Sequence, residues 1–196
     1  YLTSLSVSYK SIADLTGIED FTALTNLYCN NNQLTSLDVS QNTALTTLYC
    51  YGNQLTSLDV SANTALTYLN CNNNQLTSLD VRNGNNMNMY NHKFTSNYNL
   101  YCIDVDDAAW STANWTVANG NISWYSGFSN NCATAIYGCT DSLAFNYNPL
   151  ATLNYACDYG MTYVPDDNFE QALIDLGIDT DSTLNDSVAT GNIKFL

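Results

Sequence analysis

The sequence predicts a repeat solenoid. It reads as a mainly β coil with two short strands per turn, an irregular Trp-rich cap, a small disulfide module and one C-terminal helix. Three observations predict it. From Leu24 to Val81 the chain repeats itself at a fixed period, the step from Leu27 to Leu48 and again from Leu48 to Leu69; Cys29, Cys50 and Cys71 recur at the same step in another phase. Each copy divides into two halves of the form L-x-x-L-x-[LCV]-x-x-N, as in Leu24 to Asn32 and Leu34 to Asn42. The alternation at Leu27/Cys29 and at Leu37/Val39 marks short strands with one face buried. One copy cannot bury its leucines alone, so copies must stack and share a core.

The pattern is that of the leucine-rich repeat. The phrase N-x-L-T-S-L-D-V-S resembles the short-period repeat of secreted bacterial surface and adhesin proteins. The physics points the same way. Leucines form rows inside the coil, and Asn32, Asn53 and Asn74 form an asparagine ladder that satisfies backbone groups left unpaired by tight turns. Two half-repeats per turn imply strands on both long sides and no outer helix.

Taken in order, residues 1–103 are the repeat region. Residues 2–23 make a first, longer coil, because the step from Leu5 to Leu27 exceeds that from Leu27 to Leu48 by one position; spacing pairs Val7 with Cys29. Beyond Val81 a last irregular turn is expected over 82–103. Here Met87, Tyr90 and His92 fall one period after Leu66, Leu69 and Cys71, and Leu100 and Cys102 one period after Leu79 and Val81. Residues 104–137 break the period and bring in Trp110, Trp115 and Trp124. An open coil end exposes leucines and strand edges, so this segment reads as a C-terminal cap; a sugar-stacking platform is the other reading of the tryptophans.

Residues 138–160 resemble a Cys-bracketed module, G-C-T-D-x-x-A-x-N-Y-x-P-x-A-T, appended to bacterial extracellular proteins. It is too short to build a core without its disulfide. Residues 161–196 carry the one helix expected, with Asp166/Asp167 as N-cap, Phe169, Leu173 and Leu176 as apolar stripe and Gly177 as stop. Its wording resembles the helical segment that precedes the first coil in this group of repeat proteins.

Composition narrows the function. There are 18 acidic residues against four basic ones, a formal net charge of −14. Nucleic acid is excluded as a partner for want of a basic footprint, and anionic membrane surfaces are disfavoured. No apolar run approaches membrane-spanning length, so no direct insertion is expected. The start at Tyr1, without Met or a signal pattern, reads as a mature or excised segment.

The seven cysteines form two populations. Cys29, Cys50 and Cys71 recur at one inward position about 4.8 Å apart, a free-thiol ladder of small apolar residues. Cys102, Cys132, Cys139 and Cys157 lie outside the repeats. They allow three pairings, and their short brackets favour Cys102–Cys132 and Cys139–Cys157, which places the chain outside the cytoplasm. Catalysis finds no support: His92, read as replacing a ladder cysteine, has no nucleophile motif around it. Calcium is the one cofactor with candidates, in Asp179, Asp181 and Asp186 and in Asp104 and Asp106, against solvated acidic surface. Ser142, Ser182 and Ser187 resemble the Asp-Ser/Thr-apolar acceptor of a bacterial O-glycosylation system.

The function expected is non-enzymatic: a structural repeat unit of an extracellular filament, stalk or adhesin, assembling head to tail. The alternative is a binding module recognising a glycan or surface protein through one face of the solenoid. Joining Leu196 to Tyr1 restores the order in which the resembled family runs helix into first coil. The expectation is therefore that Phe169, Leu173 and Leu176 of one copy cover Ile12 and Ile18 of the next, in a tandem chain or between subunits.

Overall fold

The computed structural model describes residues 1–155, 157, 161–163, 166–177 and 187–189, with 161–163 and 187–189 given by their backbone alone. The chain divides into two compact units, Tyr1–Ala135 and Ile136–Leu196. In the first, short strands recur in chain order as β1 (Ser4–Ser6), β2 (Asn26–Tyr28), β3 (Thr47–Tyr49), β4 (Ser57–Asp59), β5 (Tyr68–Asn70), β6 (Ser78–Asp80), β7 (Asn91–Lys93) and β8 (Cys102–Asp104). The helix α1 (Ala108–Asn114) and the strand β9 (Gly127–Ser129) complete it. They build two parallel sheets. The first has the order β1-β2-β3-β5-β7 and the second β4-β6-β8-β9.

Register follows the repeat. Leu5 pairs with Leu27, Leu27 with Leu48 and Leu48 with Leu69 in the first sheet, and Leu58 with Leu79 in the second. Pairing Leu5 with Leu27 places Val7 beside Cys29. The inward leucines from Leu24 to Leu79 are buried apart from the half-buried Leu37. Asn53 and Asn74 each donate from Nδ2 to two carbonyls, one on their own turn and one on the preceding turn. Asn97 adds a rung to that ladder. A second ladder of Asn42 and Asn63 closes the other corner. Thr46 and Thr67 repeat the device with hydroxyls donated to the carbonyl of the threonine one turn earlier.

The turn after Val81 departs from the expected phase. β7 pairs with β5 so that His92, not Tyr90, faces Leu69, which lengthens the step by two positions over the repeat. β8 pairs with β6 at Asp80 to Asp104, lengthening it by three. His92 therefore stands in the leucine row and Phe94 in the cysteine row. Ile103 and Val105 replace Leu79 and Val81, where Leu100 and Cys102 were expected. Two of the extra positions lie in residues 82–90, which lack the S-x-N-T-A corner, and the third lies between His92 and Ile103. Residues 82–90 include a 3₁₀ turn at Asn86–Asn88, held by Asn86 Nδ2 donating to the Val81 carbonyl at 2.6 Å and Asn86 Oδ1 accepting the Asp106 amide at 2.8 Å.

The cap is more regular than its sequence suggests. β9 extends the second sheet, pairing Phe128 with Ile103. α1 is a helix that sequence reasoning missed; Asp107 caps it, accepting the Trp110 amide at 3.0 Å. With Ser, Thr and Asn among its residues, packing rather than propensity sustains it. Trp115 is 2% exposed and closes the core, its ring 5.8 Å from Phe94 and 5.7 Å from Phe128. Trp124 instead is 81% exposed. Cys102 is bonded to Cys132 within this unit.

In the second unit, β10 (Tyr137–Gly138) pairs with β11 (Leu153–Asn154), and Cys139 is bonded to Cys157. β12 (Met161–Tyr163) pairs antiparallel with β13 (Ser187–Ala189). Between them in sequence lies α2 (Asp167–Asp175), capped by Asp166, which accepts the Asn168 and Phe169 amides at 3.0 Å.

Candidate binding face

In a short strand whose middle residue points into the core, the flanking residues point out. On the first sheet these outward rows change from turn to turn: Ser6, Tyr28, Tyr49, Asn70 and Lys93 in one, Ser4, Asn26, Thr47, Tyr68 and Asn91 in another. Six tyrosines gather there. Tyr28 meets Tyr49 edge to face at a centroid distance of 5.4 Å, and Tyr49 lies 6.4 Å from Tyr51. Tyr9 is hydrogen-bonded to Tyr51, which raises its phenol pKa above the ordinary value. Tyr68 and Tyr90 pack at 4.6 Å, and their hydrogen bond raises the pKa of Tyr68. Asn30 and Thr47 are buried on this side, while Tyr9 and Tyr90 stay about 70% open to solvent. Tyrosine presents a large amphipathic contact at low entropic cost, since its apolar ring and hydroxyl are ordered through two torsions.

The second sheet presents a different surface. Its aspartates repeat because they shape turns: Asp38 accepts the Ser40 amide at 2.9 Å, Asp59 that of Ser61 at 2.8 Å and Asp80 that of Arg82 at 3.0 Å. These bonds, from the Ser40 amide and then its hydroxyl, lower the pKa of Asp38. Arg82 also bridges Asp80 and lies 3.7 Å from Asp104.

Cys29, Cys50 and Cys71 are buried free thiols. Burial pushes Cys29 and Cys71 up to about 12 and Cys50 well above the ordinary thiol value. Asp104 and Asp106 do not converge on a cation. Asp104 accepts the Cys132 amide at 2.7 Å and Asp106 that of Gly84 at 3.1 Å. Among the described residues no three His, Cys, Asp or Glu side chains group as metal ligands; Asp179, Asp181 and Asp186 lie outside the described residues. Ser142 is exposed, Ser182 lies outside the described residues, and Ser187 is described by its backbone in β13. Ile18 is buried in the core and Ile12 is half-buried; in α2, Leu173 is buried whereas Phe169 and Leu176 are exposed.

From the sequence this side of the repeat varies only modestly, through Tyr28/Tyr49/Asn70 and Asn30/Tyr51/Asn72, and Tyr9, Tyr68 and Tyr90 do not stand out as part of it. The signal for Tyr68 was present in its place directly before Leu69. That for Tyr90 was not, because its place depends on the insertion after Val81.

Residues 43–84 match the family model described as leucine rich repeats (2 copies). Internalin J of Listeria monocytogenes serotype 4b (strain F2365) is 59% identical over 41 residues, covering 21% of this chain and 4% of that protein. A solved structure, the functional domain of InlJ from Listeria monocytogenes, described as including a cysteine ladder, matches at 39% identity and a TM-score of 0.38. That match covers 53% of this chain and 30% of that one. The chain thus spans a small part of the length of either relative.

Proposed function

We propose that this chain, a leucine-rich-repeat protein related to Listeria internalin J, is a non-enzymatic binding module of a bacterial surface. It grips a glycan or a protein through the outward side of the first sheet. One observation carries the reading: the outward rows of that sheet vary and assemble tyrosines, whereas those of the second sheet repeat to form turns. Adhesive surfaces reuse rigid aromatic anchors in this way. The two disulfides suit an extracellular setting.

The test is capture of the chain on immobilised glycans and purified extracellular host proteins. The double variant Tyr49→Ala/Tyr68→Ala is expected to lose capture at unchanged melting temperature, and Ser57→Ala/Ser78→Ala to retain it. Equal loss from both would overturn the assignment of the face.

Head-to-tail association of copies is the second reading. It is favoured by β1, the outer strand of its sheet, with Leu5 in it and Val7, Ile12 and Leu15 after it only partly buried. Sedimentation showing a monomer at millimolar concentration, and a native polypeptide of one copy, would dismiss it.

A further inference from the structure

Charge is not spread evenly over the first unit. The stretches that build the first sheet and its corners, 3–10, 25–33, 46–54, 67–75 and 89–97, contain no Asp or Glu. Acidic residues fall in the other half of the turns, as Asp14, Glu19, Asp38, Asp59, Asp80 and Asp104 do. The tyrosine face is thus the acid-free side of a chain whose formal net charge is −14. Lys10, just after β1, and Lys93, in β7, stand at its two ends. Both are exposed, and among the described residues neither takes part in an ion pair.

Two tyrosines on this side are wide open to solvent, and each is braced by a neighbour. Tyr9, after β1, is 72% exposed and hydrogen-bonded to Tyr51. Tyr90, before β7, is 69% exposed, hydrogen-bonded to Tyr68 and packed on it at 4.6 Å. β1 and β7 are the outer strands of the sheet β1-β2-β3-β5-β7, so the turns that carry these rings lie about 19 Å apart along the coil. Between them the half-buried Tyr28 and Tyr49 meet edge to face. The other outward strand positions hold Ser, Asn, Thr and Lys93, and no aliphatic side chain.

These features select among ligands. A cationic partner is drawn to the acidic side instead. An anionic polymer needs clustered cations, and Lys10 and Lys93 lie at opposite ends of the face, beyond the reach of one another's field. A protein partner is held through a desolvated apolar core with arginine and aromatic anchors, for which the strand positions provide neither Arg nor an aliphatic residue. Sugars fit what is there: their C–H faces lie on phenol rings, and their hydroxyls exchange hydrogen bonds with amides and hydroxyls. A single sugar reaches one open tyrosine, whereas a chain of several reaches both.

Taking the tyrosine face as the binding side, we propose that its ligand is an uncharged glycan, held as an extended chain of several sugar residues that crosses the turns from Tyr9 to Tyr90.

The experiment is titration calorimetry of the full chain with the disaccharides and hexasaccharides of cellulose, β-mannan, xylan and chitin, and with the hexamer of galacturonic acid. At least one uncharged hexasaccharide is expected to bind about tenfold tighter than its disaccharide, because one chain engages both open tyrosines. Tyr9→Asn and Tyr90→Ala should each bring the hexasaccharide back to the affinity of the disaccharide at unchanged melting temperature. Asn suits the first position, since Asn31 and Asn73 hold the same left-handed corner on later turns. Tyr9→Asn carries the test if Tyr90→Ala melts lower than the parent. Ser57→Ala/Ser78→Ala, on the second sheet, should change nothing. No heat from any uncharged hexasaccharide, equal affinity of every hexasaccharide and its disaccharide, or tighter binding of the galacturonate hexamer would each overturn the proposal. So would a length advantage that survives both tyrosine variants. Capture of a host protein that is lost in Tyr49→Ala/Tyr68→Ala, with no hexasaccharide bound, would keep the face and sink the glycan. If neither glycan nor protein is captured, the face itself fails.

Discussion

Asn53 secures Leu34 from one turn away: its Oδ1 accepts the Leu34 amide at 3.0 Å while its Nδ2 donates to the Cys29 and Cys50 carbonyls at 3.1 and 3.0 Å. One buried side chain thus satisfies three backbone groups on two turns. Asn53→Ala leaves the Leu34 amide buried and unpaired, while the Cys29 and Cys50 carbonyls keep Asn32 Nδ2 and Asn74 Nδ2 as donors, so a loss of about 1–3 kcal/mol is expected. Asn32→Ala, at a half-buried rung, is expected to cost less. Urea unfolding of the two variants checks the order, and equal midpoints would contradict it.

Each turn of the first sheet ends in a left-handed corner, occupied in succession by Tyr9, Asn31, Gly52, Asn73 and Ser96. Gly52 has φ +65°, and an added Cβ would meet Asn31 Oδ1 at 2.6 Å. Gly52→Ala is expected to destabilise by roughly 1–2 kcal/mol. Asn31→Gly in the same chain removes the steric part and should recover some of it. A double variant no more stable than Gly52→Ala would show that backbone strain alone accounts for the loss.

The thiol ladder makes a kinetic prediction. Thiols raised to about 12 carry almost no thiolate at pH 8, and the thiolate is the reactive form. Alkylation of Cys29, Cys50 and Cys71 should therefore be negligible in the native protein and prompt in urea, following unfolding. Cys50→Ala is expected to cost about 1–3 kcal/mol through lost packing. Labelling of the native protein at the rate of a free thiol would contradict the buried ladder.

Acid should weaken the fold through His92. Its folded pKa of about 4 lies below the ordinary histidine value of 6.5. Between these values the unfolded chain binds the proton and the folded chain does not, so stability falls as pH drops through that window. The loss is at most about 3 kcal/mol, and above pH 6.5 this group contributes no slope. Urea midpoints at several pH values, compared with His92→Leu, isolate the effect. The parent should lose more stability than the variant between pH 6.5 and 4.

By itself the sequence determined the repeat and its register from Leu5 to Leu79, but of its strands the one expected at Leu37/Val39 does not form: the second sheet begins only at β4, one turn later. Inside a periodic stretch each residue's neighbours are its own copies one period away. Aligning the copies therefore states the contacts: Leu27 on Leu48 on Leu69, Cys29 beside Cys50, Asn53 under Asn74. The alignment ends at Val81, and there tertiary structure decided the outcome. How a 3₁₀ turn absorbs the extra residues of Arg82–Tyr90 has no local signature, yet it moves His92 from the cysteine row to the leucine row and puts Phe94 in line with the thiols. The same holds for Trp115 and Trp124, the same residue type but opposite in burial, and for α1, too short at seven residues to stand without what it covers. The tyrosine face divides along this line. Tyr28 and Tyr49 are successive copies of one position, visible as a row, whereas Tyr9, Tyr68 and Tyr90 join them from other positions only once the strands are paired.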